Sequence, residues 1–208
     1  SSAAFDVHEF ASLAEFFLPS AEPAKLLSKA DAKGQLSHFN LAIDTALSSL
    51  SIQGEFNDVS VAPVKGFAGI HHLSGSISGT EQQGELRLTT QNAEVNYPAL
   101  FRNAITIKQL TGVINWQQTD TQWLLDSRLI TANTPDLDTK SRLHVEIPKN
   151  EQATFMDLQT AFIAKDMSKA PNYYPTSVMS KTLVDWLDHA FIGGKITKGG
   201  FLLVGHLD

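Results

Sequence analysis

The sequence contains no cysteine. That excludes a disulfide framework and any thiolate metal site, although it does not by itself fix a compartment. Basic clusters are missing too. The densest stretch, Lys195 to Lys198, holds two lysines, and the formal net charge is −6. Nucleic-acid affinity comes mostly from clustered Lys and Arg, so that class of partner is excluded. Long apolar runs are also lacking. Phe16-Phe17-Leu18 is far too short to cross a bilayer, and the first residues carry neither a charged start nor a signal-type apolar core. Any membrane anchor is therefore expected outside this chain. Its opening Ser1-Ser2 and its closing apolar run, Phe201 to Val204, read as cut from something longer.

What is present is a repeat. Leu50-Ser-Ile52, Val59-Ser-Val61 and Leu73-Ser-Gly75-Ser-Ile77 recur as Leu86-Arg-Leu88, Val95-Asn-Tyr97 and Leu110-Thr-Gly112-Val-Ile114, 36 or 37 residues later. A fading third copy begins at Trp123-Leu-Leu125 and reaches Thr134-Pro135. Periods of about 20–50 residues mark stacked units that share one core, and an array of that kind builds a long surface or groove. With 208 residues, 42% hydrophobic and 18% charged, there is ample material for a core.

Helical spacing appears at both ends. Phe5, Phe10, Leu13, Phe16 and Phe17 fall on one broad face, and Pro19 stops the pattern. A second helix is expected from Pro23 to about Ala32, ended by Gly34. A third is expected from Ser180 to Phe191, with Leu183, Val184, Trp186, Leu187 and Ala190 apolar and Lys181, Asp185 and Asp188 opposite. Gly193-Gly194 ends it, and a strand follows from Lys195 to Val204. Residues 165–175, with Pro171 and Pro175, read as a loop. Helix, glycine and strand in that order echo Pro23 to Ile43.

From Gly34 to about residue 164 the period is two, the signature of strands wet on one face only. Roughly ten strands are expected, in an antiparallel meander. The alternation slips in each unit: Ile52 and Phe56 are even, whereas Val59 and Val61 are odd; Leu86 and Leu88 are even, whereas Val95 and Tyr97 are odd. One extra residue flips every side chain to the other face, so a bulge or break is expected near Asn57 and Asn92. Asn57, Asn92 and Asn133, with Pro63, Pro98 and Pro135, read as turn and strand-end punctuation. The expected fold is α+β: a long, twisted antiparallel sheet with about three helices. It forms one continuous domain, with a helical segment at 1–33, the repetitive sheet at 34–164, and a loop, helix and strand at 165–208.

Catalytic constellations are not evident. His71 and His72 are neighbours on a strand and point to opposite faces, and no partner follows at zinc-site spacing. No Gly-x-Ser-x-Gly elbow exists, and Gly75 to Gly79 lacks the Lys and the helix of a phosphate loop. Asp136 with Asp138, and Asp185 with Asp188, read as solvated carboxylates. No catalytic residue, metal or cofactor is assigned, and the chain is not read as an enzyme. The positive signal is an apolar stripe: Leu50, Ile52, Leu86, Leu88, Trp123 and Leu125 at equivalent positions, and Ile77, Ile114 and Trp116 in a second series. Two readings stand side by side. In one the stripe packs under the helices as a closed core. In the other it lines a groove for apolar ligands.

Leu73 to Gly84, Tyr97-Pro-Ala-Leu-Phe101, Ile114-Asn-Trp-Gln117, Tyr174 to Asp188 and Gly193 to Gly199 together resemble the YhdP branch of the AsmA-like proteins of Gram-negative bacteria. The resemblance runs from about Pro19 to the end. It implies a long periplasmic β-rod with a half-open, taco-like, apolar groove, anchored in the inner membrane through a segment outside this chain. It implies phospholipid acyl chains as the partner, carried towards the outer membrane in support of its permeability barrier. On that reading the nine stripe residues are candidates for lipid lining. The alternative is a structural spacer or protein-interaction segment of a large envelope protein, with no lipid here. A free sheet edge is further expected to invite dimerisation or envelope protein partners.

Overall fold

The computed structural model describes residues 5–6, 32–44, 49–63, 68–177 and 179–207, without the side chains at 5, 6, 43, 44, 49, 50 and 207. Ten strands follow one another in sequence order, each paired antiparallel with the next: β1 (Phe5–Asp6), β2 (Lys33–Asp44), β3 (Ser49–Val61), β4 (Gly69–Thr80), β5 (Gln83–Asn96), β6 (Ile105–Gln118), β7 (Gln122–Asn133), β8 (Leu137–Pro148), β9 (Thr154–Ala164) and β10 (Ile196–Leu207). Helix is confined, among the described residues, to a 3₁₀-helix (Met167–Tyr173) and α1 (Lys181–Ala190). The fold is therefore mainly β, not the α+β fold expected. Of the helix expected at 5–17, Phe5 and Asp6 are a short strand paired with Leu36 and Gln35. Residues 7–17, and the helix expected at 23–32 apart from Ala32, lie outside the described residues.

The repeat unit is a pair of strands. Ile52, Leu88 and Leu125 lie on β3, β5 and β7, while Ile77 and Ile114 lie on β4 and β6. Segments that alternate out of phase turn out to be single long strands with the slip inside them. β3 carries its slip between Phe56 and Val59, where Asp58 adopts φ +55°; β5 carries Asn92 at φ +57°. His38 on β2 and His72 on β4 are also in the left-handed region, so four consecutive strands each hold one such residue. A left-handed non-glycine residue costs of order 1–3 kcal/mol, and the surrounding ladder must hold it there. The gain is local: a bulged strand bends and twists more strongly.

At this seam side chains stand in for the interrupted ladder. Pairing of β4 with β5 jumps between His71 and Gly75. Thr90, fully buried, accepts a hydrogen bond from the Ser74 amide at 2.9 Å and donates to the Ser74 carbonyl at 2.9 Å. Thr90→Val keeps the shape and removes both bonds, leaving two backbone groups unsatisfied. It is expected to cost about 2–3 kcal/mol, read as a lower urea midpoint at unchanged m.

The buried core lies under β2 to β6: Ala32, Leu36, Phe56, Val59 and Leu88, with Phe39, Leu73, Ile77, Leu86, Leu110 and Ile114 packed against it. Side chains from five strands meet there, so this face of the sheet is concave. The strand order is linear, without pairing between the two ends, so the sheet curves but does not close.

Candidate functional site: an apolar, concave sheet face

Cross-strand partners share a face, and the register therefore assigns every strand residue to one side. One row runs Ile52, Gly79, Gly84, Trp116, Leu125, Val145 and Met156. The next runs Gly54, Ile77, Leu86 and Ile114, and a third runs Phe56, Gly75, Leu88, Gly112 and Ile130. All three occupy the concave face. On the other side the corresponding row is Gln53, Ser78, Glu85, Asn115, Asp126, His144 and Asp157. One face is thus apolar and the other polar over at least seven strands.

The eight stripe residues whose side chains are described fall on the apolar face. Leu50 holds the register position opposite Ile43; its side chain lies outside the described part. Trp123 shares the face with Leu125 two residues on. Leu88 is buried and belongs to the floor, whereas Ile52, Ile77, Leu86, Ile114, Trp116, Trp123 and Leu125 are only half-buried. Val145 and Met156 extend the row across β8 and β9 but were not among the residues expected to line it. The alternation Leu143, Val145, Ile147 carries that signal, although the repeat has faded there.

Glycines make the concavity possible, because side chains crowd on the inside of a bend. A Cβ at Gly84 would strike the Trp116 ring, which also covers Gly79 two strands away. The Trp116 indole N–H donates to the Thr80 carbonyl at 3.0 Å, so the ring lies flat over the β4–β5 turn with its polar edge at the rim. Phe56 sits in the same way over Gly75, and Phe39 over Gly54.

The helix does not cover this face. α1 is capped by Ser180, whose hydroxyl accepts from the Leu183 amide at 3.3 Å. It docks beside the turn that joins β5 to β6: Arg102 grips Asp188 with two bonds of 3.1 and 2.8 Å, and the Ser177 hydroxyl donates to the Ala99 carbonyl. Only Val184 of its apolar positions is buried, while Leu183 and Trp186 are exposed. The picture of this helix packed over the stripe is corrected accordingly, and Asp188 is a docking residue rather than part of a wet face.

The polar face carries His144 between two carboxylates. Nδ1 lies 2.7 Å from Asp126 Oδ1 and Nε2 lies 3.1 Å from Glu146 Oε1. Both ring nitrogens can donate only in the imidazolium form. The hydrogen bond to Asp126, then that to Glu146, raises the pKa of His144 against the opposing effect of burial. A raised folded-state value means stability that is fully present below the unfolded value of about 6.5 and lost as pH rises through the folded value. Urea titrations between about pH 6 and pH 8 are expected to show this loss, and His144→Gln is expected to flatten it. Among the described residues no group of three His, Asp or Glu side chains converges to hold a metal, and no helix is long and apolar enough to cross a membrane.

A family described as "YhdP protein" matches residues 1–208. The "Intermembrane phospholipid transporter YhdP" of Escherichia coli (strain K12) is 27% identical over 169 residues, which cover 80% of this chain and 13% of that protein. No solved structure matches. Because that family matches this chain over all 208 residues, the chain belongs to the YhdP family.

Proposed function

We propose that this chain is one segment of a periplasmic phospholipid conduit between the inner and outer membranes, in which acyl chains lie in the apolar trough and headgroups stay near water at its rims. The carrying observation is a concave apolar face whose side chains, Ile52, Ile77, Ile114, Trp116 and Leu125 among them, remain only half-buried, while the opposite face is mostly polar. A spacer has no use for such a face, and an apolar surface that α1 leaves open supports a binding groove. Each buried methylene is worth roughly 0.8 kcal/mol, so one long chain gains on the order of 10 kcal/mol before the cost of immobilising it. Rows that repeat from strand pair to strand pair offer nearly equivalent sites, and a lipid moves between equivalent sites without a chemical step. The reading requires no cofactor and no catalysis. The larger machine would supply the inner-membrane anchor and support the outer-membrane permeability barrier.

Native mass spectrometry of the purified chain, followed by organic extraction, tests this. Phospholipid is expected to travel with the folded protein. A chain that stays lipid-free after exposure to phospholipid in detergent and removal of the detergent contradicts the proposal and favours the spacer.

A further inference from the structure

Thirty-one residues, 165–195, separate β9 from β10 although those two strands are direct neighbours. The excursion is stitched along one rim of the sheet. Lys165 pairs with Asp138 at 2.6 Å, and the Tyr173 hydroxyl meets Thr134 at 2.7 Å, both beside the β7–β8 turn. Asp188 then holds Arg102 beside the β5–β6 turn, and the Met167 amide closes the loop on the Gly194 carbonyl at 2.9 Å. α1 docks by the side that carries Val184 and Asp188. Leu183 and Trp186, one turn apart, are left 44% and 63% exposed, with Ile192 just beyond at 89%.

Resting on the phospholipid reading above, we infer that Leu183, Trp186 and Ile192 form a second acyl-chain contact, a strip at the mouth of the trough where a lipid enters or leaves it. Position supports this. α1 is fastened to the turn that joins β5 to β6, the two strands that carry Leu86, Leu88, Leu110 and Ile114 of the apolar face, so the strip stands at the rim where those strands end. Size supports it as well. Three side chains, of which the largest class buries about 150–250 Å² each, fall short of the roughly 800 Å² per partner of a stable protein interface, but they suit one chain. Tryptophan, apolar in body with a polar edge, fits a site that is wet on one side. The Lys181–Asp185 ion pair flanks the strip and offers both signs of charge to a headgroup.

The test uses the three tryptophans as reporters. Single-tryptophan variants, W116F/W123F and W123F/W186F, are loaded from detergent with a phosphatidylcholine carrying a dibrominated acyl chain and freed of vesicles by gel filtration. Bromine quenches the indoles that its chain touches. Quenching of both Trp186 and Trp116, relative to unbrominated lipid, is the expected result. Quenching of Trp116 with Trp186 unchanged overturns the mouth strip and leaves the trough intact. Quenching of neither, or failure of lipid to bind, overturns the trough reading and this one with it. If W116F/W123F does not fold, the wild-type emission minus that of W186F gives the same readout for Trp186.

Discussion

Gly75→Ala is expected to destabilise the sheet by about 3 kcal/mol or more. Gly75 lies on the concave face between Phe56 on β3 and Leu88 on β5. A Cβ there falls on the carbonyl of Arg87, far inside van der Waals contact, and 2.8 Å from the Phe56 ring. The ring can turn aside, but the Arg87 carbonyl belongs to the β5 backbone and cannot. β4 and β5 must therefore part at the point where the ladder is already interrupted and the Thr90 hydroxyl bridges it. Overpacking of a core typically costs about 1–3 kcal/mol, and a backbone collision lies at or beyond the top of that range. Domains of this size hold only about 5–15 kcal/mol in total. Gly193→Ala is the control: nothing lies within 4 Å of its Cβ, and the change is expected to stay within about 0.5 kcal/mol. Equilibrium urea unfolding distinguishes them. A Gly75→Ala protein with a wild-type midpoint would show that the strands are not held as close as the register implies.

How much of this was legible in the sequence depends on the kind of signal. The two-residue period and the 36-to-37-residue repeat reported the strand pairs, and the parity slip near Asn57 and Asn92 located the bulges within a residue. Periodicity could not say that the slip sits inside one strand, because a bulge and a turn break alternation identically. The α+β expectation came from local amphipathic spacing, which registers wherever apolar residues recur; at Phe5 and Asp6 it gives way to pairing with β2. In α1 the spacing revealed the apolar positions, but not which side would dock. That choice is made by Arg102, 86 residues away in sequence from Asp188. The concavity was invisible, since Gly75, Gly79 and Gly84 carry no hydropathy; their meaning emerges only when Phe56 and Trp116 are seen above them.

Leu125→Asp and Leu124→Asp make the same chemical change one residue apart and are expected to differ about 100-fold in phospholipid binding, the largest functional contrast the sheet offers. Leu125 stands in the apolar row between Trp116 and Val145; Leu124 pairs with Gln117 and Glu146 on the polar face. A carboxylate at 125 must either lose its hydration against an acyl chain or take up a proton, and either route costs several kcal/mol. At 124 the new carboxylate is on the polar face, away from the trough. Its penalty is repulsion from Glu146 directly opposite, a cross-strand effect of at most about 1 kcal/mol that falls on stability rather than on lipid. The pH dependence identifies the cause. Desolvation raises the carboxyl pKa at 125 above the ordinary value of about 3.9, so binding by Leu125→Asp is expected to recover as pH falls towards that range, while Leu124→Asp stays flat. The measurement is phospholipid retained per protein after gel filtration at each pH, with the wild type alongside. Equal retention by the two variants would mean that lipid, if bound, does not lie on the concave face. A loss at 125 that persists at low pH would assign the effect to misfolding. A loss that reverses with protonation is what an acyl chain lying against Leu125 requires.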